Sequence, residues 1–237
     1  HLGASTREAK EGVSKAICEQ VRDYLLDQKL TNALNMPISN ISLLNDLKPY
    51  LDLGEMLGGL MSQLIKEPIN QVIIECKGNI EDIRPISLAT LKGILSPNLP
   101  DRVNYINAEA IAKELGINIE IGYSNMDSNY NNLISLKVLT ESNTFRLDGS
   151  IFDDLKPRLV NVLGRDMEVT PKGAMLFIEN VDVPGVIGRV GTLLGNRGIN
   201  IAAYLLSRKN QNGKAFAVIR IDDSVELEDI NELRKLK

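Results

Sequence analysis

Two polar side chains in the last third of the sequence are of the types that can hold a small zwitterion. Asp182 comes shortly before Pro184, at the predicted start of a helix, and Asn200 follows Gly198 at the predicted start of a strand. A carboxylate accepts hydrogen bonds from an ammonium, and a carboxamide both donates and accepts them. The free N–H groups at a helix start attract a carboxylate. We therefore expect Asp182 and Asn200 to face each other around such a ligand; the alternatives are a helix cap and a turn residue.

The elements that must position these residues follow the order strand, helix, strand, strand, helix. Proline suits the first turn of a helix, where its missing N–H costs nothing, and glycine can adopt the left-handed conformation that ends one. The predicted ranges are a strand at 174–178, a helix between Pro184 and Gly198, strands at 200–207 and 214–221, and a helix at 226–236. This βαββα order lacks one strand of a ferredoxin-like sheet, so we expect a truncated domain.

The preceding part of the chain mixes helical and strand patterns, which predicts an α+β fold class. Helices are predicted at 6–28, 40–66, 87–95 and 107–115, and strands at 71–76, 117–123, 132–140 and 144–151. The last three of these strands are expected to form one antiparallel sheet. A short hairpin is predicted around Gly164, and Gly58 and Gly59 are predicted to mark a close-packing or bending point. Residues 171–173 (PKG) are predicted to be a domain boundary.

Composition excludes several classes of partner. A net charge of −4 argues against nucleic acid, which favours basic stripes. The two cysteines lie far apart and match no metal spacing, so we expect reduced thiols in a cytoplasmic protein and no metal site. No apolar run approaches the roughly 20 residues that span a bilayer, so no membrane partner is expected. Because the chain begins with His1 rather than methionine, we expect a fragment of a longer protein.

Several segments resemble a known family. The stretch from Asp182 to Ala203 resembles an ACT domain, a small-molecule sensor that is often specific for amino acids. The part before it resembles the intervening domain of long-form D-3-phosphoglycerate dehydrogenases, and the opening HLGAST resembles the end of that family's catalytic part. The segments that carry the second resemblance are 33–37 (ALNMP), 47–51 (LKPYL) and 91–97 (LKGILSP).

The resemblance implies three regions. Residues 1–35 would be the end of the catalytic region, 36–172 a mixed α/β intervening domain that binds an allosteric ligand, and 173–237 a ferredoxin-like ACT domain. Enzymes of this family oxidise 3-phosphoglycerate with NAD in L-serine biosynthesis. In the parent enzyme His1 would be the general acid/base, a task that suits a side chain with a near-neutral pKa. This chain has no G-x-G-x-x-G after a strand, so we expect it to bind no NAD and to be inactive alone.

The resemblance also implies regulatory sites. L-serine, or a similar small effector, would lie between two ACT domains against Asn180, Asp182 and Asn200, which implies a dimer or tetramer. Arg158 and Arg220 match a second, anion-binding site, because a guanidinium can bind phosphate with two hydrogen bonds; surface ion pairs are the alternative.

Two other functions stay open. One is a stand-alone amino-acid-binding ACT module without an attached enzyme. The other is the regulatory part of an L-serine dehydratase, which the opening segment and the two isolated cysteines disfavour, because an iron–sulfur cluster needs more thiolates.

Overall fold

The structure is a computed structural model that describes residues 5–27, 41–78, 80, 82–99, 102–124, 129–208 and 213–236, without the side chains of 41–45. His1 and the segment around 34–37 lie outside the described residues, as does part of the polar loop that follows residue 124. The chain divides into two compact units, His1–Thr144 and Phe145–Lys237.

Helices of the first unit begin and end close to the predicted positions. They are α1 (Arg7–Asp27), α2 (Ile41–Leu64), α3 (Ile83–Leu95) and α4 (Ala108–Glu114). Helix α3 starts earlier than the predicted residue 87 because Asp82 caps it, its side chain accepting a hydrogen bond from the amide of Arg84 at 3.1 Å. Helix α1 is amphipathic as predicted, but none of its residues is buried in this chain.

Glycines let α2 and α3 approach each other closely. A Cβ atom added to Gly58 would collide with the backbone carbonyl of Thr90, and one added to Gly93 would collide with that of Glu55. A Cβ atom on the neighbouring Gly59 would meet nothing within 4 Å. The predicted close-packing point is therefore confirmed for Gly58 alone.

In the first unit, two strands pair with β1, one on each side. The three strands are β1 (Ile69–Gly78), β2 (Asn118–Ser124) and β3 (Asn132–Thr140). Strand β3 runs antiparallel to β1, but β2 runs parallel to it, with Val72 opposite Ile119. The expectation that residues 117–123 belong to a purely antiparallel sheet is wrong, because α3 and α4 form the long crossover that a parallel pair requires.

The second unit begins with an antiparallel group of three strands. They are β4 (Thr144–Ile151), β5 (Pro157–Val162) and β6 (Arg165–Val169). The predicted hairpin around Gly164 is present, and both of its turn residues have positive φ, 52° at Leu163 and 77° at Gly164. Positive φ at both central residues suits the right-handed twist of paired strands.

The βαββα order predicted for the last segment is confirmed. The elements are β7 (Ala174–Val181), α5 (Val186–Asn196), β8 (Ile201–Arg208), β9 (Lys214–Ile221) and α6 (Leu227–Lys235). The sheet order is β7-β9-β8, and β9 runs antiparallel to both neighbours. Apolar residues of α5, among them Val190 and Leu194, pack on Ala217 and Ile219 of β9 to form the core of this segment.

An arginine of β6 contacts the three-stranded sheet. The Nη2 atom of Arg165 donates to Glu179 at 2.9 Å, and its guanidinium carbon lies 4.7 Å from the ring centre of Phe216. Glu179 also accepts from Lys214 Nζ at 2.6 Å. These contacts connect the β5–β6 hairpin to β7 and β9 within the second unit.

Among the helices of the described residues, none combines the length and the apolar character needed to cross a lipid bilayer. Within the same part of the chain, no group of three or more acidic, histidine or cysteine side chains is placed to hold a metal ion.

Candidate functional site

A cavity of about 310 Å³ lies where β7 ends, α5 begins and β8 ends. These three chain segments meet because β7 and β8 are both antiparallel to β9. The two strands therefore run parallel to each other, and their C-terminal ends lie at the same end of the sheet. The polar side chains that line the cavity are Asn180, Asp182, Tyr204 and Arg208.

The start of α5 faces this cavity without a capping side chain. The N-cap residue is Gly185, which has a φ of 92° and makes no side-chain capping bond. Gly185, Val186 and Ile187 all line the cavity. The first N–H groups of a helix have no intrahelical partner, so they can attract an anion there. The alternative that Asp182 serves only as the cap of α5 is therefore wrong.

The carboxylate of Asp182 is held by a residue that sequence reasoning missed. Its Oδ2 atom lies 3.1 Å from Arg208 Nε, and its side chain is 14% exposed against 53% for Arg208. Arg208 is the last residue of β8. The parallel direction of β7 and β8 could have indicated Arg208, since it brings the C-terminal ends of both strands to the same end of the sheet.

Two buried polar atoms of the cavity residues have no hydrogen-bond partner among the described residues. They are Oδ1 of Asn180 and the hydroxyl oxygen of Tyr204. Asn180 uses its Nδ2 atom to donate to the carbonyl of Val181 at 2.7 Å, and burial raises the pKa of Tyr204. Because an unpaired buried polar atom costs roughly 1–3 kcal/mol, a ligand that pairs with both atoms recovers this free energy.

Asn200 lies at the other end of the sheet, where β7 and β8 begin. Ile201, the next residue, pairs with Ile221, and so does Ala174 at the beginning of β7. The side chain of Asn200 donates to Asp222 Oδ2 at 2.6 Å. The expected approach of Asn200 to Asp182 is therefore absent within one chain, because the start of β8 is far from the end of β7.

The two arginines predicted for an anion site occupy different strands. In β5, Arg158 contacts Asp154 at 3.4 Å, donates to the carbonyl of Pro157 and lies over the ring of Phe152. Arg220 lies in β9, and its side chain has no ion pair or hydrogen bond within the described part of the chain. Arg158 is thus already engaged, whereas Arg220 is available to bind an anion.

Comparison with known proteins identifies the parts of this chain. Residues 174–237 match the ACT domain, and residues 46–163 match the D-3-phosphoglycerate dehydrogenase intervening domain. The chain is 34% identical to the D-3-phosphoglycerate dehydrogenase of Bacillus subtilis over 98% of its own length and 45% of that relative. It is also 34% identical to those of Methanocaldococcus jannaschii, over 100% of the chain and 45% of the relative, and Synechocystis, over 100% and 43%.

The fold and the cavity thus define a chain with a C-terminal ACT domain. More particularly, the chain contains the intervening domain of D-3-phosphoglycerate dehydrogenases, followed by the ACT domain. It spans less than half the length of the curated relatives that it matches, 45% for that of Bacillus subtilis.

Proposed function

We propose that this chain is the regulatory part of a D-3-phosphoglycerate dehydrogenase and that its ACT domain binds L-serine or a similar small amino acid in the cavity at α5. The observation that carries the proposal is a cavity lined by Asp182 and by Asn180 and Tyr204, each of which has a buried polar atom with no partner among the described residues. The match to dehydrogenases over nearly the whole chain favours this hypothesis over a stand-alone ACT module or a dehydratase.

The chemistry of the cavity suits a zwitterion. Asp182 and Asn180 Oδ1 can accept hydrogen bonds from an ammonium, while the uncapped start of α5 attracts a carboxylate. The hydroxyl of Tyr204 can donate or accept, which leaves it for a polar side chain of the ligand.

We propose that Asn200 contacts an effector that is bound to a second copy of the chain. Asn200 lies at the end of the sheet opposite to Asp182, so it reaches an effector bound at Asp182 only if another ACT domain is placed alongside. The proposed assembly is therefore a dimer or tetramer in which the effector bridges two ACT domains. Such an effector favours one arrangement of subunits only by its difference in affinity between the arrangements. A monomer in light scattering at micromolar concentration would contradict this part.

The activity of the whole parent protein is also part of the proposal. The parent would oxidise 3-phosphoglycerate with NAD, and His1 would exchange the proton of the hydroxyl group. We also propose that this chain binds no NAD, because the segment that connects the parallel strands β1 and β2 lacks the glycine-rich turn that holds a dinucleotide. We therefore assign no step of the reaction to this chain, which would be inactive alone.

The proposed regions are the end of the catalytic part at 1–35, the intervening domain at 36–172 and the ACT domain at 173–237. An anion site formed by Arg158 of the intervening region and Arg220 of the ACT region also stays a prediction. It requires Arg158 to leave its contact with Asp154.

Isothermal titration of the full chain with L-serine tests the proposed effector site, with glycine and D-serine for comparison. We expect saturable, stereoselective binding to the wild-type chain. Replacing Asp182 with alanine should weaken it about tenfold or more, because a buried ammonium would lose its counter-charge. Glu228→Gln is the matched control, since this exposed carboxylate lies in α6, away from the cavity. Absence of stereoselective binding, or equal affinity in Asp182→Ala, would show that the assignment is wrong.

A further inference from the structure

We propose that Arg208 recognises the carboxylate of the effector by exchanging its ion pair with Asp182 for that carboxylate. This inference rests on the proposed amino-acid binding at α5 and adds a residue and a ligand requirement to it. The starting point is the single contact between Arg208 Nε and Asp182 Oδ2 at 3.1 Å.

The ion pair leaves most of the guanidinium unused. A guanidinium carries five N–H groups, and its strongest pairs with carboxylates are bidentate. Within the described residues, Arg208 has only the contact to Asp182, so its two Nη groups have no partner. Its side chain is 53% exposed, which gives it room to turn from Asp182 towards a ligand.

The register of the strands places Arg208 across one small residue from the end of β7, two residues before Asp182. Asn180 of β7 and Arg208 of β8 both pair with Ala215 of the central strand β9, and Ala215 also lines the cavity. Since neighbouring strands are about 4.8 Å apart, the two backbones are separated by roughly 10 Å. The short side chain of Ala215 leaves the space between them open for a small molecule.

Charge balance then defines the class of ligand. Asp182 and Arg208 neutralise each other in their ion pair, and a zwitterion would supply one opposite charge to each. A molecule with an ammonium but no carboxylate would pair with Asp182 and leave Arg208 without a counter-ion. The site should therefore require a free α-carboxylate, and L-serinamide, which lacks this charge, should bind poorly.

The test is isothermal titration of the full wild-type chain and its variants with L-serine and L-serinamide. We expect Arg208→Gln to weaken L-serine binding about tenfold or more. In that variant the preference for L-serine over L-serinamide should nearly disappear. Arg208→Lys keeps the charge without the fork and should fall between wild type and Arg208→Gln. Urea unfolding of each variant checks that the exposed substitution leaves the fold intact.

The outcomes separate this inference from the function on which it rests. If Arg208→Gln binds L-serine as tightly as wild type, or more tightly, and still rejects L-serinamide, then Arg208 only screens Asp182 and the inference is wrong. In that case weakened binding by Asp182→Ala would leave the proposed effector site standing. A wild-type chain that binds neither L-serine nor glycine overturns both.

Discussion

The molecule contains two groups of a carboxylate, a cation and a tyrosine, and they differ in how completely their polar atoms are paired. In the first unit, Glu55 of α2 accepts from Lys92 Nζ at 2.5 Å and from the hydroxyl of Tyr105 at 2.9 Å. Lys92 also lies over the ring of Tyr105, 4.8 Å from its centre. The carboxylate, the ammonium and the hydroxyl of this group therefore all have partners.

The second group, at the start of α5, has the same kinds of chemical group (a carboxylate, a cation and a phenol) with fewer contacts. Asp182 has one side-chain contact, to Arg208, while Tyr204 and Asn180, which line the same cavity, each keep a buried atom without a partner among the described residues. A paired network stabilises the fold, whereas unpaired buried atoms cost stability until something binds them. The comparison teaches that hydrogen-bond pairing, rather than residue type, distinguishes a structural cluster from a candidate binding site.

The largest effect should come from separating the helices that assemble the paired group. Gly58→Ala places a methyl group against the backbone of α3 and should lower the free energy of unfolding by about 2–3 kcal/mol. Gly59→Ala is the matched control: its methyl group meets nothing, and it should raise stability by up to about 1 kcal/mol. Urea unfolding measures both changes, and equal effects would show that α2 and α3 are not in close contact.

The same substitution in the two groups should have opposite consequences. Tyr105→Phe removes a hydrogen bond to a charged carboxylate and should lower the free energy of unfolding by about 1 kcal/mol. Tyr204→Phe removes a buried hydroxyl that has no partner among the described residues, so stability should stay unchanged or rise slightly. Urea unfolding without added amino acids measures this difference. Equal losses in both variants would mean that the hydroxyl of Tyr204 is paired.

A smaller effect should be visible at alkaline pH. Burial, followed by the hydrogen bond and the charge of Glu55, raises the pKa of Tyr105 from 10.0 to about 12. Because this pKa is higher in the folded state, the contribution of Tyr105 is complete below pH 10 and is lost as the pH rises towards 12. The unfolding free energy of wild type should therefore fall more steeply over this pH range than that of Tyr105→Phe. Parallel curves from urea unfolding would contradict the shift.

Local sequence patterns predicted most of the elements but fewer of their pairings. Helical periodicity placed a helix at 6–28, and the structure has Arg7–Asp27; proline and glycine signals likewise predicted the βαββα order. Strand direction depends on distant parts of the chain, so the parallel pairing of β2 with β1 could not be read from either strand alone. The effector residues stay a prediction.

The same limit explains what was missed at the cavity. Arg208 and Tyr204 were overlooked because the pairing of β7 and β8 with β9 is what brings them to the same cavity as Asp182. Asn200 was expected to face Asp182 because one lies at the head of a strand and the other at the start of the preceding helix, yet the strand directions place them at opposite ends of the strands. The uncapped start of α5 and the volume of the cavity depend on backbone geometry that cannot be predicted from local sequence patterns.

The contact of Arg165 with Glu179 has an evolutionary consequence. Glu179 serves two cations at once, Arg165 and Lys214, and the side chain of Arg165 is only 12% exposed. Loss of the carboxylate would leave a nearly buried guanidinium without its counter-ion, which is a severe penalty for a protein of ordinary stability. Positions 165, 179 and 214 are thus expected to covary among descendants of this sequence, and a lineage that loses Glu179 should also lose Arg165.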